Sequence, residues 1–186
     1  PRIITEVDRL SSITQDLLVL SSAESGPVRK APCDLADTVR ATVSQLTTKA
    51  DEKDLVLTYD GPKHFVIEAN GSQMMQVCLN LIENAIKYTP SGTVHVELIA
   101  PADDGLDAVV TLRVTDTGIG IASDHIGRIF ERFYRVDKGR SRQSGGTGLG
   151  LAIVKHIVEA HGGQVRVRSA LNAGSTFEVT LPVGDV

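Results

Sequence analysis

"NLIENAIKYT", residues 80–89, splits by helical spacing into two unlike faces. Leu81, Ile82, Ala85 and Ile86 form an apolar stripe. Asn80, Asn84 and Lys87 fall opposite it, since residues three and four apart are neighbours on a helix surface. Asn is a mediocre helix former whose amide competes for backbone hydrogen bonds. A face that merely met water would use Glu, Lys or Gln. The stretch predicts a helix buried on one side, and it poses the question of what two amides and an ammonium point at on the other.

The chain around it has the size and balance of a soluble globular protein. Its 186 residues suit one domain, or one domain with an appendage. With 41% hydrophobic and 23% charged residues it has the apolar material for a core of its own. A net charge of −4 gives no general electrostatic case for binding nucleic acid. Cys33 and Cys78 form no C-x-x-C pair and have no pair of histidines beside them, which argues against zinc. Cys78 falls on the apolar side of the quoted helix, as a small core residue. No run of about 18 apolar residues is present, and the N-terminus lacks the pattern of a signal peptide. The start at Pro1 rather than Met leads to the expectation of a longer parent chain.

Outward from residues 80–89, helical and strand periods take turns. Residues 2–24 lack Gly and Pro, carry apolar residues at steps of four and three, and stop at Ser25-Gly26-Pro27. They predict one long helix that packs against other helices. "VRKAPCDL" predicts a short strand, and Asp34 caps a helix over about 35–52 with Leu35, Val39, Val43 and Leu46 inward. "LVLTYD" (55–60) and "FVIEA" (65–69) alternate as strands. The quoted helix runs over about 72–88 and stops before Thr89-Pro90-Ser91-Gly92. "TVHVELIA" (93–100) and "AVVTLRVTD" (108–116) are two more strands. A short helix near 123–131, a polar glycine-containing segment at 137–148 and a helix over about 149–161 follow. "QVRVRSA" (164–170) and "STFEVTLP" (175–182) read as a closing hairpin. The sum predicts an α+β fold. It is a two-layer α/β sandwich with a mixed, largely antiparallel sheet and three helices on one face, preceded by one long N-terminal helix. The expected division is 1–26 for that helix and 27–186 for the globular domain.

Two glycine-rich stretches add chemistry. "DTGIG", Asp116 to Gly120, ends a strand, and its glycines let backbone approach a ligand closely. Asp116 accepts hydrogen bonds when ionised and suits an exocyclic amine; the plain alternative is an Asp-Thr-Gly turn. In "GGTGLGLAIV" (145–154), Gly146, Gly148 and Gly150 lead into an apolar helix whose first N–H groups make an anion site. The G-x-G-x-G spacing is neither the dinucleotide fingerprint nor the P-loop, and no βαβ alternation surrounds it. With the basic "DKGRSRQSGG" beside it, the segment reads as a lid over phosphates, against the plainer reading of a loop with a glycine hinge.

Taken in order, N-x-x-x-N-x-x-K-Y-T, D-x-G-x-G, F-E-R-F-Y-R and G-T-G-L-G-L resemble the catalytic ATP-binding domain of bacterial sensor histidine kinases of two-component systems. That family sits within the wider ATPase group that includes type II topoisomerases and heat-shock chaperones. The resemblance covers about residues 27–182. It implies ATP and Mg²⁺ as cofactors, with the γ-phosphoryl group passed to a histidine. It implies that Asn84 ligates Mg²⁺, that Asn80 supports the phosphate and metal region, and that Lys87 contacts phosphate. Tyr88 would line the adenine site, Asp116 would bond the adenine amino group, and Gly118, Gly120 and Ile121 would border the base. Arg135 and Arg140 are candidates for phosphate contact, in and after a box that contains Phe130 and Phe133. Gly146, Thr147, Gly148, Leu149 and Gly150 match the closing glycine motif of the lid, and Thr176 matches a threonine near the adenine pocket. Asn80, Lys87, Arg135 and Arg140 are thereby the catalytic candidates. The chemistry is consistent: an amide oxygen is a hard, neutral ligand suited to Mg²⁺, and phosphoryl transfer needs positioning and charge neutralisation above all.

The chain departs from the family pattern in an instructive way. It has no H-E-x-x-T-P-L-like acceptor box, and His64, His95, His125, His156 and His161 all lie in the ATP-binding part. His161, at a helix C-terminus where a cation is favourable, reads as structural. The helix at 2–24 resembles the second helix of a dimerisation hairpin, so the acceptor-His helix is expected outside this chain. The implied partners are that helix, a response-regulator receiver domain and a second copy in a full-length homodimer, with no nucleic acid and no membrane contact by this fragment. The implied setting is the cytoplasmic portion of a membrane-bound bacterial sensor. Asn70 and Gln73 stand where relatives often carry Asp and Arg, and Glu83 and His125 are weaker acid–base candidates. Two other functions compete. One is an ATP-binding or ATP-hydrolysing switch without histidine kinase activity; against it, chaperone-type members place a Glu base where this chain has Asn80. The other is an interaction module with a decayed site, against which the complete set of polar motifs argues.

Overall fold

The computed structural model describes Thr14 and residues 28–101, 108–136 and 147–183. Apart from Thr14, the helix expected over 2–24 lies outside the described residues, as do Arg140 and Gly146. The described elements are β1 (Ala31–Asp34), α1 (Leu35–Asp51), β2 (Leu55–Asp60), β3 (Val66–Ala69), α2 (Gly71–Tyr88), β4 (Gly92–Ile99), β5 (Val109–Asp116), α3 (Ser123–Ile126), α4 (Gly150–Ala160), β6 (Gln164–Ser169) and β7 (Ser175–Pro182).

Five strands form one sheet in the order β2-β4-β5-β7-β6. All its pairings are antiparallel except β2 with β4. The exception follows from connectivity, because α2 crosses between these two strands and a crossover returns the chain parallel. Along β4, β5 and β7 the alternate residues Val94, Val96, Leu98, Val110, Leu112, Val114, Phe177, Val179 and Leu181 are buried. Over that face lie the three long helices, with α2 between α1 and α4. The opposite face is polar: Arg113 bonds Glu178 at 2.9 Å and Glu97 at 3.3 Å, and Arg168 bonds Glu178 at 2.9 Å. This is the α+β two-layer sandwich with a mixed sheet that the sequence predicts.

Two details differ from expectation. β1 and β3 do not join the main sheet but pair antiparallel by themselves. They are stitched to the entrance of α1: Leu35 N–H donates to Phe65 O at 2.8 Å, and Phe65 N–H donates to the Asp34 carboxylate at 3.2 Å. The short helix expected near 123–131 covers Ser123–Ile126 alone. Gly127 follows it, and most of the later bonds, such as Glu131 N–H to Arg128 O and Tyr134 N–H to Glu131 O, close tight three-residue turns instead of continuing an α-helix.

Candidate functional site

The site is built around α2. Asn70 caps its N-terminus, its side chain accepting from Gln73 N–H at 3.2 Å, so the departure from Asp at this position leaves the cap intact. Met74, Val77, Cys78, Leu81, Ile82, Ala85 and Ile86 are buried. Burying that face leaves Gln76, Asn80, Asn84 and Lys87 as a partly exposed stripe on the other.

Asn80 sits where α2 meets the start of α4. Its Oδ1 accepts from Gln76 Nε2 at 3.3 Å, while its buried Nδ2 has no hydrogen-bond partner. A Cβ at Gly150 would lie 3.3 Å from the same oxygen, so the small residue lets α4 begin against this amide. α4 has no side-chain cap, which leaves its first N–H groups for an outside acceptor. Leu149 is fully buried and its N–H donates to Thr147 Oγ1 at 3.2 Å. Gly148 has φ +75° and its carbonyl accepts from Phe133 N–H at 2.9 Å. This bond joins Phe133 to the glycine motif at the start of α4.

Cations gather one turn further along α2. Lys87 is half-buried, and burial pushes its pKa down, with Arg135 and Lys49 adding to the effect and Glu83 opposing it. Its Nζ lies 5.2 Å from the centroid of the Tyr88 ring. An ammonium depressed by burial and by neighbouring cations is stabilised by an arriving polyanion. Glu83 is ion-paired with Lys49 at 2.8 Å, which engages its carboxylate. His125 is bonded to Tyr134 Oη at 2.7 Å, and Arg128 stacks 4.3 Å from the Tyr134 ring centroid, so this histidine braces the segment that leads to Arg135. Phe130 packs edge-on to Phe177 in the core, whereas Phe133 is exposed at φ +64°.

The other end of the site is the loop after β5. Asp116 is 6% exposed, and burial raises its pKa against the opposing backbone N–H groups of Gly118, at 2.8 Å, and Ser175. Gly118 is required by packing, since a Cβ there would lie 2.4 Å from Tyr88 O. Gly120, at φ +66°, would meet Ala170 O at 1.9 Å. The glycines therefore seat this loop against α2 on one side and the β6–β7 turn on the other. Ile119 N–H donates to Tyr88 O at 3.1 Å and Ile121 N–H to Ser169 Oγ at 2.8 Å.

Thr176 is corrected by the register. Its hydroxyl meets that of Thr115 at 3.3 Å on the polar outer face of the sheet, away from Asp116. Ser175 takes the inward place, paired with Asp116 in register, buried, and 3.0 Å from Ser169 Oγ. Ser175 and Ser169 were not singled out by the sequence reading, although Ser175 shares the inward parity of Phe177, Val179 and Leu181.

The arrangement sets a buried acceptor, Asp116, at one end and amides, cations and a helix N-terminus at the other. It suits a ligand with an amino-bearing head and a polyanionic tail. Among the described residues no three His, Cys, Asp or Glu side chains form a metal cluster. Asn84 lies partly exposed on the polar stripe of α2, and an amide oxygen is a hard, neutral ligand of the kind Mg²⁺ takes.

Comparison with known proteins accords with this geometry. A family model described as "Histidine kinase-, DNA gyrase B-, and HSP90-like ATPase" matches residues 69–185. The chain is 39% identical over 184 residues to the sensor-like histidine kinase SenX3 of Mycolicibacterium smegmatis, covering 97% of this chain and 47% of that protein. It is 39% identical over 180 residues to the sensor protein kinase WalK of Staphylococcus aureus, covering 95% of this chain and 42% of that protein. The chain thus spans less than half the length of these curated relatives. A crystal structure of full-length ShkA in complex with AMPPNP superposes with a TM-score of 0.80 at 31% identity, covering 96% of this chain and 37% of that one.

Proposed function

The chain belongs to the histidine kinase-, DNA gyrase B- and HSP90-like ATPase family, as an ATP-binding catalytic domain of the sensor histidine kinase kind, and on that premise we propose that it transfers the γ-phosphoryl group of Mg-ATP to a histidine on a separate helix. The observation that carries this reading is the meeting of the two half-sites. Ile119 N–H bonds Tyr88 O, so the loop holding Asp116 is fastened to the helix holding Asn84 and Lys87.

Asp116 accepts from the adenine amino group and orients the base. Lys87 and Arg135 neutralise phosphate charge, and the N–H groups at the start of α4 add fixed partial charge. Asn80 holds the approach of α4 to α2. Asn84 offers its amide oxygen to Mg²⁺, which when bound spreads the negative charge of the transferring group. Phe133 and Gly148, joined by their hydrogen bond, flank the stretch that the family resemblance implies to be a lid over the phosphates. The family resemblance supports onward transfer to a response-regulator aspartate and a dimeric working unit. No described helix is long and apolar enough to cross a membrane.

Calorimetric titration with ATP, with and without Mg²⁺, tests the reading. Mg²⁺ is expected to tighten binding to the wild-type chain. Asn84→Ala should fold normally yet lose Mg²⁺ coupling by about tenfold or more, the scale seen when metal-site support is removed. Equal Mg²⁺ enhancement in both proteins would remove Asn84 from the metal site.

A further inference from the structure

The C-terminus of α2 has no glycine cap, yet each of its last four carbonyls is bonded. Ala85 O accepts from Thr89 N–H at 3.1 Å and from the Thr89 hydroxyl at 2.7 Å. Tyr88 O accepts from Ile119 N–H at 3.1 Å. Ile86 O and Lys87 O accept from Lys53 Nζ at 2.5 and 3.1 Å, and the same ammonium donates to Thr89 O at 3.1 Å. Lys53 comes from the turn between α1 and β2, 33 residues before Ile86 in the chain. An ammonium has three donors, and here all three close on one helix end. The backbone does not do this work itself, because the chain becomes extended at Thr89, with φ −100° and ψ 109°. A cation at this end also complements the helix dipole.

The carbonyls that Lys53 gathers lie at the hinge between the two half-sites. Lys87 precedes Tyr88, whose own carbonyl holds Ile119 and excludes any side chain at Gly118. We infer that Lys53 is a positioning residue for the nucleotide site. It fixes the last turn of α2, and through Tyr88 it fixes the spacing between Lys87 and Asp116. With its donors spent on three carbonyls, it acts through the helix rather than on the ligand. This role rests on reading the site as one for Mg-ATP.

The test uses the whole chain as wild type, Lys53→Met and Lys53→Arg, with Mg-ATP calorimetry and residue-resolved amide exchange. Lys53→Met is expected to weaken Mg-ATP binding about tenfold, within what a displaced binding group costs. Its amides at Thr89 and Ile119 should exchange faster while those in β5 and β7 keep their protection. Lys53→Arg, which keeps the charge and several donors, should restore most of both effects. Unchanged binding by Lys53→Met, or exchange that accelerates evenly through the sheet as for a general stabilising contact, would overturn the role. A wild-type chain that binds no Mg-ATP would instead overturn the nucleotide reading itself.

Discussion

A one-residue step along β7 separates a side chain that serves the site from one that faces away. Ser175 lies inward beside Asp116 and contacts Ser169, while Thr176 meets Thr115 on the outer face. The alternation of Phe177, Val179 and Leu181 already carried this parity, but a motif match does not register which face a residue occupies. Replacing Ser175 by Val should remove its bond to Ser169, whose hydroxyl keeps Gly174 O and Ile121 N–H, and set a branched apolar side chain beside Asp116; one lost hydrogen bond is worth about 0.5–1.5 kcal/mol. Nucleotide affinity measured by titration is therefore expected to fall roughly tenfold for Ser175→Val. Thr176→Val should stay close to wild type, and the reverse order would return the role to Thr176. Asp116, Asn84 and Lys87 stand out in the sequence because their chemistry is unusual for their surroundings. The reason for Gly118 and Gly120 does not, since the atoms they avoid, Tyr88 O and Ala170 O, lie on distant parts of the chain.

At the scale of elements, period was informative and ends were less so. α1, α2, α4 and the strands of the main sheet follow the expected spans within about two residues, because each buries one face. The separate β1–β3 pair was hidden, since its partner choice depends on the α1 entrance. The lock between α4 and α2 was hidden too. His161 is buried at the end of α4, where its Nδ1 donates to Ile157 O at 2.8 Å and its Nε2 accepts from Asn70 N–H at 3.1 Å, at the α2 cap. A ring that accepts at Nε2 is neutral, so the favourable cation suggested by its place at a helix C-terminus is not the state found. Burial lowers its pKa, the bond to Ile157 opposes this, and Lys30 adds to the lowering. The unfolded chain thus binds a proton that the folded chain resists. The stabilisation is fully present above the ordinary histidine pKa of about 6.5 and is lost as pH falls from there towards the lowered folded value. Urea unfolding at about pH 7.5 and 5.5 should show wild type losing more stability than His161→Gln, which keeps an acceptor and cannot titrate. Equal losses would mean that His161 does not carry the pH dependence.

At the scale of the whole molecule, the sandwich supplies a nucleotide-binding domain whose own histidines serve mainly as structural contacts. Four of the five histidines hydrogen-bond within the fold. His64 bonds the Asp34 carboxylate at 2.7 Å, His95 bonds Thr58 at 2.8 Å on the outer face, and His125 braces Tyr134 at 2.7 Å. His156 has its Nε2 buried, and His161 has both ring nitrogens bonded. Transfer also needs the acceptor nitrogen close to the γ-phosphate and in line with the breaking bond, a placement that a separate docked helix can supply. The chain alone, incubated with Mg-ATP, is therefore expected to bind nucleotide and to gain no acid-labile phosphate. Supplying a separate helix with an acceptor histidine should place the label on that helix, provided it docks near Asn84 and the start of α4. Phosphohistidine on the isolated chain would sink this division of labour, because one of its own five histidines would then have to act as the acceptor.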